Sequence, residues 1–231
     1  TVAHIKTDSI KIPDATPEII QFVMDYGQQY GYNFEHEATY DRMCLVNDAV
    51  YIAKYRDGKH AGEWTATGTQ FQVPYVFKKL FSREDIQFED MCETKSVSTA
   101  IYIDRSPDEA LRYINDPRMT TDTENDIWLD NKHSLHFVGK VGLFTPVKEG
   151  AGGGALVRQS KAKDGTVKYD SVSGTKGHNW MESEMVKVLE KEQYIDRSYY
   201  DNLVDEAVKS ISQYGDFEWF TANDTELAKT A

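Results

Sequence analysis

The sequence has no apolar run near the roughly 20 residues that a membrane-crossing helix needs, so no such helix is expected. Its two cysteines, Cys44 and Cys92, lie far apart and in no C-x-x-C spacing. That usage fits reduced, buried thiols in a cytoplasmic setting rather than a disulfide scaffold or a zinc module. His133 and His136 form an H-x-x-H, but no nearby cysteine or paired-carboxylate motif completes a zinc site. There is no signal-peptide pattern and no initiator methionine. Thr1 opens almost directly onto strand-like sequence, as expected of a chain that begins in the middle of something larger. No internal repeat is visible. The run Gly152-Gly153-Gly154 lacks both the Gly-Lys-Ser/Thr ending of a P-loop and the dinucleotide-fold spacing, so it is expected to be a loop whose amides approach a ligand closely.

What is present is material for a folded globular protein. The 231 residues are 40% hydrophobic and 12% aromatic, enough for one large domain or two small ones. The net charge of −12 argues against a simple nucleic-acid binder, but the charge is uneven. Residues 1–82 carry 8 basic and 10 acidic side chains (−2), residues 83–135 carry 6 and 13 (−7), and residues 181–231 carry 5 and 12 (−7). Between them, residues 136–180 set Lys140, Lys148, Arg158, Lys161, Lys163, Lys168 and Lys176 against Glu149, Asp164 and Asp170, a net of +4. A basic, glycine-rich island in an acidic chain reads as a phosphate-contact surface.

Periodicity gives an α+β chain. "VAHIKTDSIKI" alternates apolar and polar residues on both sides of Thr7-Asp8-Ser9, which predicts a β-hairpin with those short polar side chains at its tip. Alternation places Ile10 and Ile12 on one face with Asp8, and Ile5 on the other. Thr16, Pro17 and Glu18 then start a helix with Ile19, Ile20, Val23 and Met24 on one face, fraying at Gly27 and Gly31. Residues 32–58 read as strands in a mixed sheet, and a helix follows Pro74 with Val76, Phe77, Leu80 and Phe81 inward. The stretch 115–132 is expected to be a mobile loop, and Lys163-Asp164-Gly165 a hairpin tip. A helix is expected over Trp180–Lys191. Another starts near Asp196, with Tyr199, Leu203, Val204, Ala207, Val208 and Ile211 on one stripe, and stops at Gly215. Beyond Phe220 a polar, frayed tail is expected.

Several stretches in this order resemble one family. "HIKTDSIKI" is similar to the third palm motif of family B DNA polymerases, Y-x-D-T-D-S on a β-hairpin. "FEHEATYDRMCLVNDAVYIAKY" resembles the downstream palm element that ends in a K-K-x-Y motif near the primer end. "TATGTQFQVPYVFKKLF" sits where the palm-to-thumb junction would lie. "VGKVGLFTPVKEGAGGG" and "GTKGHNWMESEMV" resemble thumb segments of phage-type members.

The resemblance implies a partial palm, a mixed or antiparallel sheet with packed helices, over residues 1–80, and a helical, hairpin-containing thumb over 81–231. It aligns Asp8 with the motif's metal-ligating second aspartate, making Asp8 the candidate catalytic Mg²⁺ ligand of a two-metal nucleotidyl transfer. Thr7 and Ser9 support that turn, and Tyr51 is the matching residue of K-K-x-Y. Lys6 stands where the motif's first aspartate belongs, and Asp48 and Ala49 replace the two lysines, which shifts the expected primer-phosphate contact to Lys54. DNA contacts are expected at Thr7, Ser9, Tyr51, Lys54, Lys140, Lys148, Arg158, Lys176 and the amides of Gly152, Gly153 and Gly154.

The first palm motif, the fingers motif and the exonuclease D-x-E are missing. The expected partners are therefore primer–template DNA, dNTP and an upstream polymerase portion carrying exonuclease, fingers and the other palm aspartate, with no membrane. The isolated chain is expected to be inactive, and the setting to be cytoplasm, a host's if the chain is phage-encoded. Two alternatives are a non-catalytic DNA-binding polymerase remnant and an unrelated acidic α+β protein.

Overall fold

The computed structural model describes residues 2–119, 126–128 and 132–222. It is an α+β protein in which every strand pairing among the described residues is antiparallel. The chain divides into two compact units, one from residues 1–84 and 206–231 and the other from 85–205. The first unit thus contains residues from both ends of the sequence.

In the first unit, β1 (His4–Lys6) and β2 (Ser9–Lys11) form the expected hairpin, closed by the pair Lys6 and Ser9 with Thr7-Asp8 at its tip. Ile5 pairs with Ile10, and residues directly opposite share a face. Ile5 therefore lies with Ile10, not across the sheet from it. Simple alternation misplaced it because the turn resets the face count between strands. The hairpin stands as a separate two-stranded sheet. β3 (Tyr40–Asn47), β4 (Val50–Tyr55) and β5 (Trp64–Ala66) make a three-stranded one, so the single mixed sheet expected here is not formed.

Between these sheets runs α1 (Pro17–Gln29), with Thr16 Oγ1 accepting from the Ile19 amide at 3.4 Å and Pro17 at the first turn. It turns Ile20, Val23, Met24 and Gly27 inward. The Phe34 ring packs so closely on Gly27 that a Cβ there would collide with it. α2 (Thr69–Gln72) and α3 (Pro74–Phe77) follow, and α3 widens into a π turn over Lys78–Ser82. Ile52, Phe71, Val76 and Phe81 are core residues of this unit.

The second unit is built on a six-stranded sheet. β6 (Glu93–Arg105) is central, followed by α4 (Pro107–Ile114), β7 (Asp126–Trp128), β8 (Ser134–Val147), β9 (Ala155–Lys161), β10 (Val167–Ser171) and β11 (Asn179–Glu182). The strand order is β10-β9-β6-β8-β11, with β7 on β8. α4 and α5 (Ser183–Val188) pack on it, and Ile101, Ile103, Phe144, Leu156 and Trp180 are fully buried. β9 and β10 form the hairpin expected at Lys163-Asp164-Gly165, where Gly165 has φ +86° and Asp164 Oδ1 accepts from the Thr166 amide.

Trp180 lies in β11 rather than opening a helix, because its indole N–H donates to Thr175 O and its own backbone bridges Gly154. α6 (Arg197–Ser212) begins in the second unit and ends in the first; Tyr199, Ala207 and Ile211 are buried as expected, together with Tyr200. A short α7 (Phe217–Thr221) follows Gly215 and ends one residue past Phe220, beyond which the frayed tail was expected. Of the loop expected over 115–132, residues 120–125 and 129–131 lie outside the described residues; 126–128 form β7. The tail from 223 onward also lies outside them. No helix among the described residues is long and apolar enough to cross a membrane.

Candidate functional site

Asp8 is exposed at the tip of the β1–β2 hairpin, between exposed Thr7 and half-buried Ser9. A two-residue turn holds a side chain there with little backbone freedom. Strand alternation puts Ser9 and Lys11 on one side of β2, and Lys11 Nζ reaches Ser9 Oγ at 3.4 Å. The same ammonium stands 5.0 Å from the centre of the Tyr51 ring. At the other end of the hairpin, His4 is buried and its Nε2 bonds Asp48 O at 2.9 Å. These two contacts bring the hairpin, the β3–β4 turn and Tyr51 into one neighbourhood. Lys11 is a residue that sequence reasoning missed; its i+2 relation to Ser9 was the available signal.

Tyr51 belongs to an aromatic group with Tyr40 (6.5 Å between ring centres), and Tyr40 in turn contacts Tyr55 (5.2 Å). Burial, with the neighbouring Tyr51 phenol, pushes the Tyr40 phenol well above its ordinary range. Tyr40 is neutral at any working pH. Lys54 lies three residues beyond Tyr51 on β4, hence on the opposite face, and is 8% exposed. The shift of a primer contact to Lys54 therefore meets a side chain turned into the unit, across from Trp64.

Asp8 also lines a cavity of about 520 Å³ within the first unit, bounded by β2, α1 and the chain from Phe34 to Leu45. Among the described residues no group of three or more histidine, cysteine, aspartate or glutamate side chains gathers as for a metal ion. A two-metal centre needs at least two carboxylates on the ions. Asp8 is the carboxylate that this hairpin tip offers. His133 and His136 do not form a joint site: His133 Nδ1 stands 2.9 Å from Asp104 and His136 Nε2 3.6 Å from Glu182. Cys44 is buried, and burial raises its thiol pKa; Cys92 is only half-buried, and both are unbridged.

In the second unit Lys140, Lys148, Arg158 and Lys176 are all exposed. Lys140 and Lys148 stand eight positions apart, roughly 27 Å at the rise of an extended strand. The glycine run differs from expectation. Gly152, Gly153 and Gly154 are buried, and the amides of Gly150 and Gly152 donate to the two carboxylate oxygens of Glu109. Arg105 Nε donates to Gly152 O at 2.8 Å, and the Gly154 amide donates to Trp180 O at 3.0 Å. A Cβ on Gly154 would strike Asp104 O, and one on Gly153 would lie 2.9 Å from Trp180 O. The glycines are there for close packing of backbone on backbone, so the expected phosphate contact by the Gly152 and Gly154 amides is corrected: those amides are occupied within the fold.

Comparison with protein-family models, curated proteins and solved structures found no match.

Proposed function

We propose that this chain is the carboxy-terminal palm and thumb portion of a DNA-directed DNA polymerase of the family B type. It would hold primer–template DNA and supply one metal-binding aspartate, with Mg²⁺ completed by a carboxylate from an upstream polymerase portion. The observation that carries the reading is Asp8 itself: an exposed carboxylate on a two-residue hairpin tip, opening on a cavity, with Tyr51 tied to the same hairpin through Lys11. Magnesium bound there would neutralise phosphate charge and acidify the primer hydroxyl. Asp8 alone does not make that centre, so no catalytic step is assigned to the isolated chain. The exposed side chains Val2, Ile5, Phe22, Tyr26 and Tyr30 support a missing portion, since apolar surface of this extent marks a partner site.

A second reading, a DNA-binding remnant without turnover, is favoured by Lys6, which pairs with Ser9 and sets a cation beside the tip. Primer extension by the chain reconstituted with its upstream portion separates the two. Asp8→Ala is expected to abolish extension while duplex binding stays within about twofold; a variant retaining most activity removes Asp8 from the metal site. No extension from either form, with duplex binding intact, selects the remnant. The purified chain alone is expected to incorporate nothing, and measurable incorporation would overturn the split-site reading.

A further inference from the structure

The cavity beside Asp8 is lined by apolar and charged side chains together. Ile20, Val23 and Met24 of α1, Met43 and Leu45 of β3, and Ile10 of β2 are its apolar lining. Asp8, Asp14, Glu35 and Glu37 also line it and make no ion pair among the described residues; the cations there are Lys11, which stands over the Tyr51 ring, and Arg56, so carboxylates outnumber them. At about 100° per residue, Ile19, Phe22 and Tyr26 form the stripe next to Val23 on α1, and Tyr30 follows just past the helix end; they are 40%, 65%, 50% and, for Tyr30, 64% exposed. Successive aromatic rings along it are 5.9 and 5.1 Å apart. α1 carries Glu18 and Asp25 and no basic residue.

We infer that this groove docks a partner polypeptide segment whose apolar side chains are flanked by lysine and arginine. The exposed, unpaired carboxylates of Asp14, Glu35 and Glu37 complement the cations of such a segment, and the exposed stripe on α1 offers its apolar side chains a surface. The inference stands on the groove and does not require polymerase activity, so its test is separate from primer extension.

The probes are two fluorescein-labelled amidated peptides, KKLIVWLIKK and EELIVWLIEE, titrated with the full chain at low salt and followed by anisotropy. The basic peptide is expected to bind at least about tenfold tighter, and added salt to narrow the gap. Glu35→Lys with Glu37→Lys is expected to reverse the preference. Ala38→Trp, which fills the groove, is expected to weaken both peptides; Ile10→Arg, at an exposed position, selectively weakens the basic one and serves if Ala38→Trp does not fold. Glu184→Lys with Glu192→Lys, in the other unit, is expected to leave the preference intact. Equal binding of the two peptides, or equal effects of the two charge reversals, overturns the inference. So does a dimer of the chain that Ala38→Trp disperses.

Discussion

Glu109 shows how much one buried carboxylate can hold. It is 6% exposed, accepts from the amides of Gly150 and Gly152, and takes Arg112 on the same helix at 3.1 Å. Its helix starts at Ser106, whose hydroxyl accepts from the Glu109 amide, so the cap fixes the residue that fixes the glycine loop. Removing the carboxylate leaves two amides without an acceptor in a site too tight for easy rehydration. Glu109→Ala should therefore lower stability by about 3 kcal/mol, and Glu109→Gln by about half that, because its amide oxygen keeps one acceptor. Urea denaturation checks both. A loss from Glu109→Ala below about 0.5 kcal/mol would mean that the loop amides find other acceptors.

At the scale of elements, the end of the described chain is moored by an arginine from β3. Arg42 is 7% exposed, and its Nη1 donates to Trp219 O, Phe220 O and Ala222 O at 3.2, 3.1 and 2.8 Å. A cation suits the carbonyl end of a helix, where unpaired oxygens concentrate negative charge. Asp216 caps the other end of α7, accepting from the Trp219 amide at 3.0 Å, and Phe220 lies against Trp64. A five-residue helix has no stability of its own, so these contacts decide whether it forms. Arg42→Ala should release α7, with hydrogen exchange at 217–222 losing its protection while amides of β6 and β8 keep theirs. The expected stability cost is about 2 kcal/mol. Unchanged protection at 217–222 would show that Trp64 packing alone retains the helix.

At the scale of the whole molecule, the proposed contact with DNA makes a demand on charge. A chain of net charge −12 meets a duplex only through a local surplus of cations, and residues 136–180 hold one. The exposed Lys140, Lys148, Arg158 and Lys176 are the candidates for phosphate contacts. Binding should ignore sequence and weaken with salt. Neutralising one true contact should reduce the slope of log K against log salt by about 0.9. Reversing all four charges should abolish duplex binding, whereas reversing Lys187 and Lys209 should do little. Filter binding across a salt series reads this directly, and equal effects of the two sets would move the DNA path elsewhere.

Some of this was decided by the sequence alone. The hairpin at Thr7-Asp8, the capped start of α1, the tip at Lys163-Asp164-Gly165 and the stripe on α6 all follow from local rules, because turn chemistry, capping and helical spacing involve residues a few positions apart. Candidate roles for Asp8 and Tyr51 came from resemblance, not from those rules. The tertiary structure decided what depends on distant partners. The glycine run invited a ligand on paper, but Glu109 and Trp180 occupy the Gly152 and Gly154 amides from 43 and 26 residues away. Lys54 reads as a surface cation, yet the sheet turns it inward beside Trp64. Arg42 and the acidic groove had no local signature. Burial and long-range hydrogen bonding are properties of the packed chain, and no window of neighbouring residues contains them.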